Sequence, residues 1–323
     1  LEAAIITTYR CQGHCRMCHI WKYPTLPEEE FRPDLLEKLP RLSFCNVTGG
    51  EPFLREDIEE IVAVLRTRAR RIVISTNGFL TGKILSLAAR YPRVGIRVSL
   101  EGLPAANDAL RGVKDGFDRG LRTLLELKRM GIKDIGVAIT VSDANTADVL
   151  PLFRLADALG LEFATAAVHN SFYFHKGDNA FQDKDAAAAC FRVLSAQLLA
   201  SRRPKNWFRA YFNSGLADYV LGRPRPLPCG AARDLFFLDP TGEVLPCNGL
   251  EQSAWFASLG NLKEKTFEEI WHSERAERIR AQVDDCPRNC WMIGTAGPAM
   301  KKHLSRPALW VLKRKLGRRG RAR

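Results

Sequence analysis

The sequence predicts an α/β protein: a partial (β/α)6 barrel followed by a small C-terminal domain. Three observations carry this. Short β-branched runs alternate with apolar-periodic helical stretches from residue 3 to about 170, which implies crossover connections and a parallel sheet. Chemically unusual segments follow one strand candidate after another, at the end where parallel α/β folds collect ligands. A Pro-rich break, GRPRPLPCG (222–230), then separates this region from a cysteine-bearing remainder. A flat doubly wound sheet is the competing architecture.

The strand candidates are AAIITTY (3–9), LSFCNVT (42–48), RIVIST (71–76), VGIRVSL (94–100), DIGVAITV (134–141) and LEFATAAV (161–168). Helical patterns lie between them, such as DIEEIVAVLRTRA (57–69) and FDRGLRTLLELKRMG (117–131), the second closed by Gly131 as a C-terminal cap. Residues 185–221 read as helical, most clearly AAAACFRVLSAQLLA (186–200). DLFFLDPTGEVLPC (234–247) predicts a hairpin turning at Pro240-Thr241-Gly242. TFEEIWHSERAERIRAQV (266–283) predicts one helix capped by Thr266, with Glu269 three residues on. The expected units are residues 1–221 for the barrel with its trailing helical segment, 222–298 for the C-terminal domain and 299–323 for a basic amphipathic tail.

The 323 residues, 46% of them hydrophobic, suffice for one large domain and a smaller one. No apolar run reaches the ~18 residues of a membrane span, and no signal peptide is visible. The sequence opens at Leu1 already strand-like, which reads as a trimmed start. The charge of +13 is local. Residues 301–323 hold ten Lys or Arg and no acid, and removing those ten leaves +3.

Seven of nine cysteines fall in two sets, Cys11/Cys15/Cys18 and Cys229/Cys247/Cys286/Cys290; Cys45 and Cys190 stand apart. A long chain without secretory features suits metal or cluster ligation in a reducing cytoplasm better than disulfides. Four thiolates would cap all four irons of a cubane, whereas three leave one iron open to another ligand, as catalytic zinc keeps a position free. The C-x3-C-x2-C spacing of Cys11, Cys15 and Cys18 lets a loop wrap one face of such a cluster. A structural zinc site completed by His14 or His19 is the alternative, and it leaves GGEP (49–52) unexplained.

Cys11, Cys15 and Cys18 after the first strand, with Gly49, Gly50, Glu51 and Pro52 after the second, strongly resemble the radical S-adenosylmethionine (SAM) superfamily. Met17 departs from the aromatic residue usual beside the last cysteine. The resemblance implies a 4Fe–4S cluster on the three cysteines, with its open iron chelated by SAM. Reductive cleavage of SAM then yields a 5′-deoxyadenosyl radical that abstracts hydrogen from substrate. It implies a reductant such as flavodoxin or ferredoxin. It assigns Gly49 and Gly50 to close approach of the SAM amino group, Glu51 to holding that turn, and Ser75, Thr76 and Asn77 to the carboxylate and ribose region. Ser99 and Glu101 fall near the ribose hydroxyls.

The second set resembles the SPASM/twitch extension of such enzymes: Cys229, Gly242 four residues before Cys247 in the count of intervening positions, LGNL (259–262), EEIW (268–271), then Cys286 and Cys290. Four cysteines match the shorter twitch version with one auxiliary 4Fe–4S cluster, although C-x3-C replaces the more usual C-x2-C at Cys286 and Cys290. A four-cysteine zinc site is the alternative. Cys45 reads as a buried strand residue and Cys190 as a helix residue.

His169, Asn170, Tyr173 and His175, with Lys176 and Asp178, follow the sixth strand and suit substrate recognition. A solvated loop with its aromatics packed down is the competing reading. Arg111 reads as structural. The resemblance to twitch-type proteins, which often oxidise or epimerise small carbohydrate-like molecules, implies a small sugar-like or lipid-linked substrate, dehydrogenated or epimerised. Peptide modification, which in SPASM proteins often goes with a leader-binding segment before the first strand that is not seen here, comes second. The tail PALWVLKRKLGRRGRAR suits a helix on an anionic bilayer or a solvated terminus. Nucleic acid is not the expected partner. A non-catalytic iron–sulfur or zinc protein binding a partner through this tail is the alternative of another class.

Overall fold

The computed structural model describes residues 1–248 and 258–319. Among them, nine strands form one sheet: β1 Glu2–Ile6, β2 Phe44–Thr48, β3 Ile72–Thr76, β4 Gly95–Ser99, β5 Ile135–Val141, β6 Glu162–Ala167, β7 Leu235–Leu238, β8 Glu243–Leu245 and β9 Gly260–Asn261. The helices are α1 Ile58–Arg68, α2 Thr81–Arg90, α3 Pro104–Arg111, α4 Gly116–Arg129, α5 Val149–Ala158, α6 Lys184–Ala200, α7 Pro204–Val220, α8 Phe267–Trp271, α9 Glu274–Asp284, α10 Ile293–Lys302 and α11 Ser305–Arg319.

The order across the sheet is β6-β5-β4-β3-β2-β1-β7-β8-β9. Strands β1 to β6 run parallel, each joined to the next in sequence, as six strand–helix units require. The sheet does not close: β6 and β9 are its two edges. The partial barrel expected from the sequence is therefore present as an open trough.

Alternation within the strands sorts side chains onto two faces. Ile5, Cys45, Val47, Ile74, Val98, Val137 and Phe236 share one large buried core with the helices that cover the sheet. The other face carries a second cluster at β1 and β7, formed by Ala4, Ile6, Leu235 and Phe237. Along β2 to β6 it carries Asn46, Ser75, Ser99, Ala138, Thr140, Ala164 and Ala166, all only half-buried. Small side chains there leave the trough unfilled, so its wall faces whatever enters from the mouth. Its floor is tied by ion pairs, with Asp134 bridging Arg71 (2.8 Å) and Arg97 (2.5 Å). Burial alone would raise the Asp134 carboxyl, but Arg97 and Arg71 overrule it and hold it at about 2.

The predicted hairpin forms as β7 and β8. Asp239 Oδ1 accepts from the backbone N–H groups of Thr241 (2.9 Å) and Glu243 (2.9 Å), and Gly242 takes φ +96°. β7 also pairs in parallel with β1, from Glu2 opposite Leu235 to Ile5 opposite Leu238. The single helix expected over 266–283 is instead two. Thr266 and Glu269 form a reciprocal capping box on α8. Ser273 then starts α9: its hydroxyl donates to the Ile270 carbonyl and accepts from Ala276 N–H. A second good cap inside the run breaks the helix, because a serine that caps is more stable there than mid-helix.

Trp291 ties this region to the helices. It is fully buried, and its indole N–H donates to the Phe212 carbonyl at 2.9 Å. Gly215 of α7 passes so near the indole that a Cβ would overlap it. Trp291→Ala should destabilise the chain by about 3–5 kcal/mol, the cost of an emptied aromatic site. Trp291→Phe should retain more than half of that, losing mainly the indole hydrogen bond; urea unfolding of both variants measures the difference.

Candidate active site

Residues 7–19 leave the C-terminal end of β1 with no helix or strand of their own. Three sets of contacts fix them. On one side, Thr8 and Arg10 carbonyls accept from Gly50 and Glu51 N–H, both at 2.8 Å. A Cβ on Gly49 or Gly50 would overlap the Thr8 or Arg10 carbonyl, so the close approach these glycines permit is to the chain itself. On the second side, His14 and Arg16 N–H donate to the carbonyls of Arg111 (2.9 Å) and Leu110 (2.8 Å) at the end of α3. On the third, His19 N–H donates to the Phe174 carbonyl at 2.7 Å and Asn179 Nδ2 donates to the Met17 carbonyl at 2.9 Å.

Beneath the loop, buried Glu30 accepts from Arg10 (2.7 Å) and Thr25 (2.7 Å) and from the Thr8 hydroxyl. Arg55 lies 3.3 Å from Glu30 and donates to the Thr7 carbonyl at 3.0 Å. This network pins the three residues before Cys11.

The thiols converge. A Cβ placed on Gly13 would lie 3.6 Å from Cys15 Sγ and 3.7 Å from Cys11 Sγ, and Cys18 N–H donates to the Cys15 carbonyl at 3.3 Å. Burial pushes the Cys11 and Cys18 thiols up to about 12 and raises Cys15 too. Such thiols keep their protons until a cation compensates them. A protein cation stands beside them: Arg111 is buried and is an electrostatic neighbour of Cys15, Cys11, Glu101 and Glu51. Its Nη1 donates to Glu101 at 3.0 Å, while its Nε is buried without a partner.

Glu51 is fully buried. It accepts from Phe53 N–H (3.1 Å), the Thr76 hydroxyl (2.8 Å) and Asn77 N–H (2.7 Å), tying the end of β2 to the end of β3. Pro52 is buried behind it. The other Glu101 oxygen accepts from Thr140 N–H at 2.7 Å, joining β4 to β5. Ser75 and Ser99 stand half-exposed on the trough face, Ser75 donating to Asn46 at 3.1 Å. Asn77 Oδ1 accepts from Phe79 N–H at 3.0 Å, but Asn77 Nδ2 and Gln12 Oε1 are buried without partners. Three buried polar atoms with no protein partner, on Arg111, Asn77 and Gln12, surround the converging thiols. Buried polar groups are ordinarily satisfied, so these atoms fit a polar ligand beside the thiols.

The loop after β6 covers this site. Asn170 exchanges hydrogen bonds with Asn179, so it shapes the loop. His169 uses Nδ1 on the Ala167 carbonyl (3.1 Å), leaving Nε2 buried without a partner. Burial lowers its pKa and keeps it neutral. His175 is exposed, stacks on Tyr23 at 4.2 Å and meets the Tyr9 ring edge-on. Lys176 pairs with Asp178 at 2.6 Å. Tyr173 is buried, with Cys18 as an electrostatic neighbour and the Asn248 side chain hydrogen-bonded to its hydroxyl.

Of the second cysteine set, Cys229, Cys286 and Cys290 come together around Arg225. Arg225 donates to the Cys290 carbonyl and to Thr295, and its guanidinium lies over the Trp291 ring. Cys247 is half-buried just beyond β8. Cys45 is fully buried in the core, and Cys190 Sγ donates to the Thr146 carbonyl at 3.4 Å.

A mouth with three converging thiols and a second cysteine site on an extension of the same sheet defines an iron–sulfur enzyme class. Residues 5–156 match the family described as the radical SAM superfamily, and residues 229–292 match the SPASM iron–sulfur cluster-binding domain. The chain belongs to the radical SAM superfamily and carries a SPASM domain. It is an enzyme of the class whose cofactors are SAM, a 4Fe–4S cluster and auxiliary iron–sulfur clusters.

It is 32% identical over 301 residues to pre-heme d1 synthase of Dinoroseobacter shibae, covering 82% of this chain and 71% of that protein. It is 29% identical over 287 residues to mycofactocin maturase MftC of Mycolicibacterium smegmatis, covering 84% and 70%. Among solved structures it shares a fold with native anSMEcpe with bound AdoMet and Cp18Cys peptide, at TM-score 0.66 and 14% identity over 97% of this chain and 99% of that one.

Sequence reasoning passed over Gln12 and Glu30 and read Arg111 as structural. For Arg111 and Gln12 the signal was weak: one sits on a helix and the other is an ordinary loop residue. Glu30 lies far along the chain from the loop it holds. Given its buried guanidinium with Nε unpartnered, Arg111→Met should weaken SAM binding by roughly ten- to a hundredfold, the loss of one charge-assisted hydrogen bond. Equilibrium dialysis on anaerobically reconstituted protein of unchanged iron content tests this.

Proposed function

We propose that this chain is an oxidative radical SAM enzyme whose substrate is a peptide lying across the mouth of the open trough. Cys11, Cys15 and Cys18 hold the SAM-binding cluster. Gly49 to Pro52, Ser75, Thr76, Asn77, Ser99 and Glu101 frame the SAM site, and Glu101 fixes Arg111 for the SAM carboxylate. Cys229, Cys247, Cys286 and Cys290 hold one auxiliary cluster. When bound, SAM and its cluster supply the 5′-deoxyadenosyl radical that takes a hydrogen atom from the substrate. The half-buried wall of Ala138, Thr140, Ala164 and Ala166 leaves room for an extended chain, and Tyr9, Tyr23 and His175 offer aromatic surface at the rim.

The carrying observation is Tyr173. It neighbours Cys18, is hydrogen-bonded by the side chain of Asn248, next to Cys247, and packs in the apolar cluster that Cys11 and Cys18 flank, which supports a mouth and an auxiliary site near one another. That neighbourhood suits dehydrogenation. A cluster held by Cys229, Cys247, Cys286 and Cys290 would supply an acceptor for the second electron of a dehydrogenation, whose proton would pass to solvent. Epimerisation instead needs a hydrogen atom returned, and Cys45 and Cys190 both belong to the core under the helices, away from the trough.

The peptide reading is supported by the maturase relatives, including the antilisterial bacteriocin subtilosin biosynthesis protein AlbA of Bacillus subtilis, 24% identical over 304 residues. A small-molecule reading is favoured by a different finding, the 32% identity to pre-heme d1 synthase; its substrate would be a carboxylate-bearing tetrapyrrole rather than a sugar.

With SAM and dithionite, reconstituted wild-type protein should release 5′-deoxyadenosine and methionine, and Cys15→Ala should release neither. Cys290→Ala should keep SAM cleavage and lose product formation. Loss of two hydrogens from a precursor peptide, followed by mass spectrometry, supports the peptide reading. The same loss seen only with a tetrapyrrole carboxylate refutes it.

A further inference from the structure

Helix α11 is apolar on two opposite faces. One face docks: Pro307 is buried, Trp310 meets Tyr211 of α7 edge-on with ring centroids 5.6 Å apart, and Lys315 Nζ lies 3.4 Å from the Trp207 ring. The other face holds Leu309, Leu312 and Leu316, at the i, i+3, i+7 spacing of one helical stripe. They are 54%, 54% and 56% exposed. Leu304, in the turn before the helix, is 54% exposed as well. Lys313 and Arg306 are exposed on the flank between the two faces, with Arg306 an electrostatic neighbour of Tyr211. From Cys286 to the end of the sequence there is no Asp or Glu.

We infer that this outer face of α11 is a docking surface for an anionic lipid bilayer, with the leucine stripe entering the headgroup–acyl boundary and the flanking cations meeting lipid phosphates. The charge selects this occupant. A second copy of the chain would bring the same cations against themselves, which is repulsive. Nucleic acid would neutralise the cations but leave three leucines facing water. An interfacial helix with a cationic rim satisfies both features at once. The docked face matters equally, because Trp310 and Lys315 on α7 hold the helix flat against the body with its leucines outward. No described helix is long and apolar enough to cross a membrane, so the contact is in-plane.

The test uses the full chain and vesicles of phosphatidylcholine, alone or with roughly a third phosphatidylglycerol. Wild type should float with the anionic vesicles and not with the neutral ones. The triple variant Leu309→Ser, Leu312→Ser, Leu316→Ser should lose at least about tenfold in vesicle affinity. It should keep its melting temperature and its rate of SAM cleavage, because exposed positions contribute little to stability. Arg306→Gln with Lys313→Gln should weaken binding and flatten its salt dependence. The inference falls if wild type ignores anionic vesicles. It also falls if the triple variant binds them as well as wild type does. It falls too if the leucines serve self-association instead, seen in sedimentation as an oligomer that the triple variant loses.

Discussion

Three thiols must be held pointing at one another on a stretch of chain that has no regular structure, and much of the architecture answers that requirement. A helix fixes its backbone through internal hydrogen bonds, and a strand through its sheet neighbours. Residues 7–19 have few internal bonds, such as Cys18 N–H to the Cys15 carbonyl, so most of their pairing is with neighbours on three sides: the glycine turn after β2, the end of α3 and the loop after β6. Each of those neighbours sits at the C-terminal end of the parallel sheet, or just beyond it. A parallel sheet suits the task because its strand ends bring distant parts of the sequence to one rim, while the buried core beneath them resists deformation.

The same reasoning separates what the sequence revealed from what it hid. Six β-branched runs with helices between them made the strands legible to within two or three residues at either end. The clustered cysteines and the glycine pair marked the site because those residue types are costly or reactive elsewhere. What the sequence concealed was long-range polar pairing. Glu30 reaches Arg10 and Thr8 across twenty or more residues, and Arg111 reaches Cys15 from a different strand–helix unit. Such partners have no periodicity or spacing to betray them. In the loop after β6, Asn170 pairs with Asn179 and Tyr173 is packed under the loop, contacts that sequence spacing does not show. The misjudged helix over 266–283 has a local cause, since Ser273 looks like a tolerable interior residue until its side chain is seen capping Ala276 N–H.

Charge around the site is arranged with few spare groups. Arg111 is buried, and its cost is met by Glu101 in contact. Glu101 in turn is held by Thr140 N–H, so the cation is aimed by two strands rather than by its own flexible stem. Glu51, also buried, is met by two backbone N–H groups and one hydroxyl instead of a cation. The two glutamates therefore do different work: one ties β2 to β3 through neutral donors, and the other positions a charge beside the cysteines.

The pairing of β7 with β1 gives the C-terminal region its fixed relation to this site. A domain tethered only by a linker would sample many distances from the barrel mouth. Here the strand that follows Cys229 is hydrogen-bonded along the strand that precedes Cys11. Leu235 and Phe237 join Ile6 and Tyr173 in one apolar cluster against which Cys11 and Cys18 pack. Trp291, next to Cys290, is locked into α7 from the other direction. Movement of either cysteine site relative to the other would therefore break sheet hydrogen bonds and expose a packed aromatic cluster. The sheet pairing and the aromatic packing thus hold the two cysteine regions in one fixed relation.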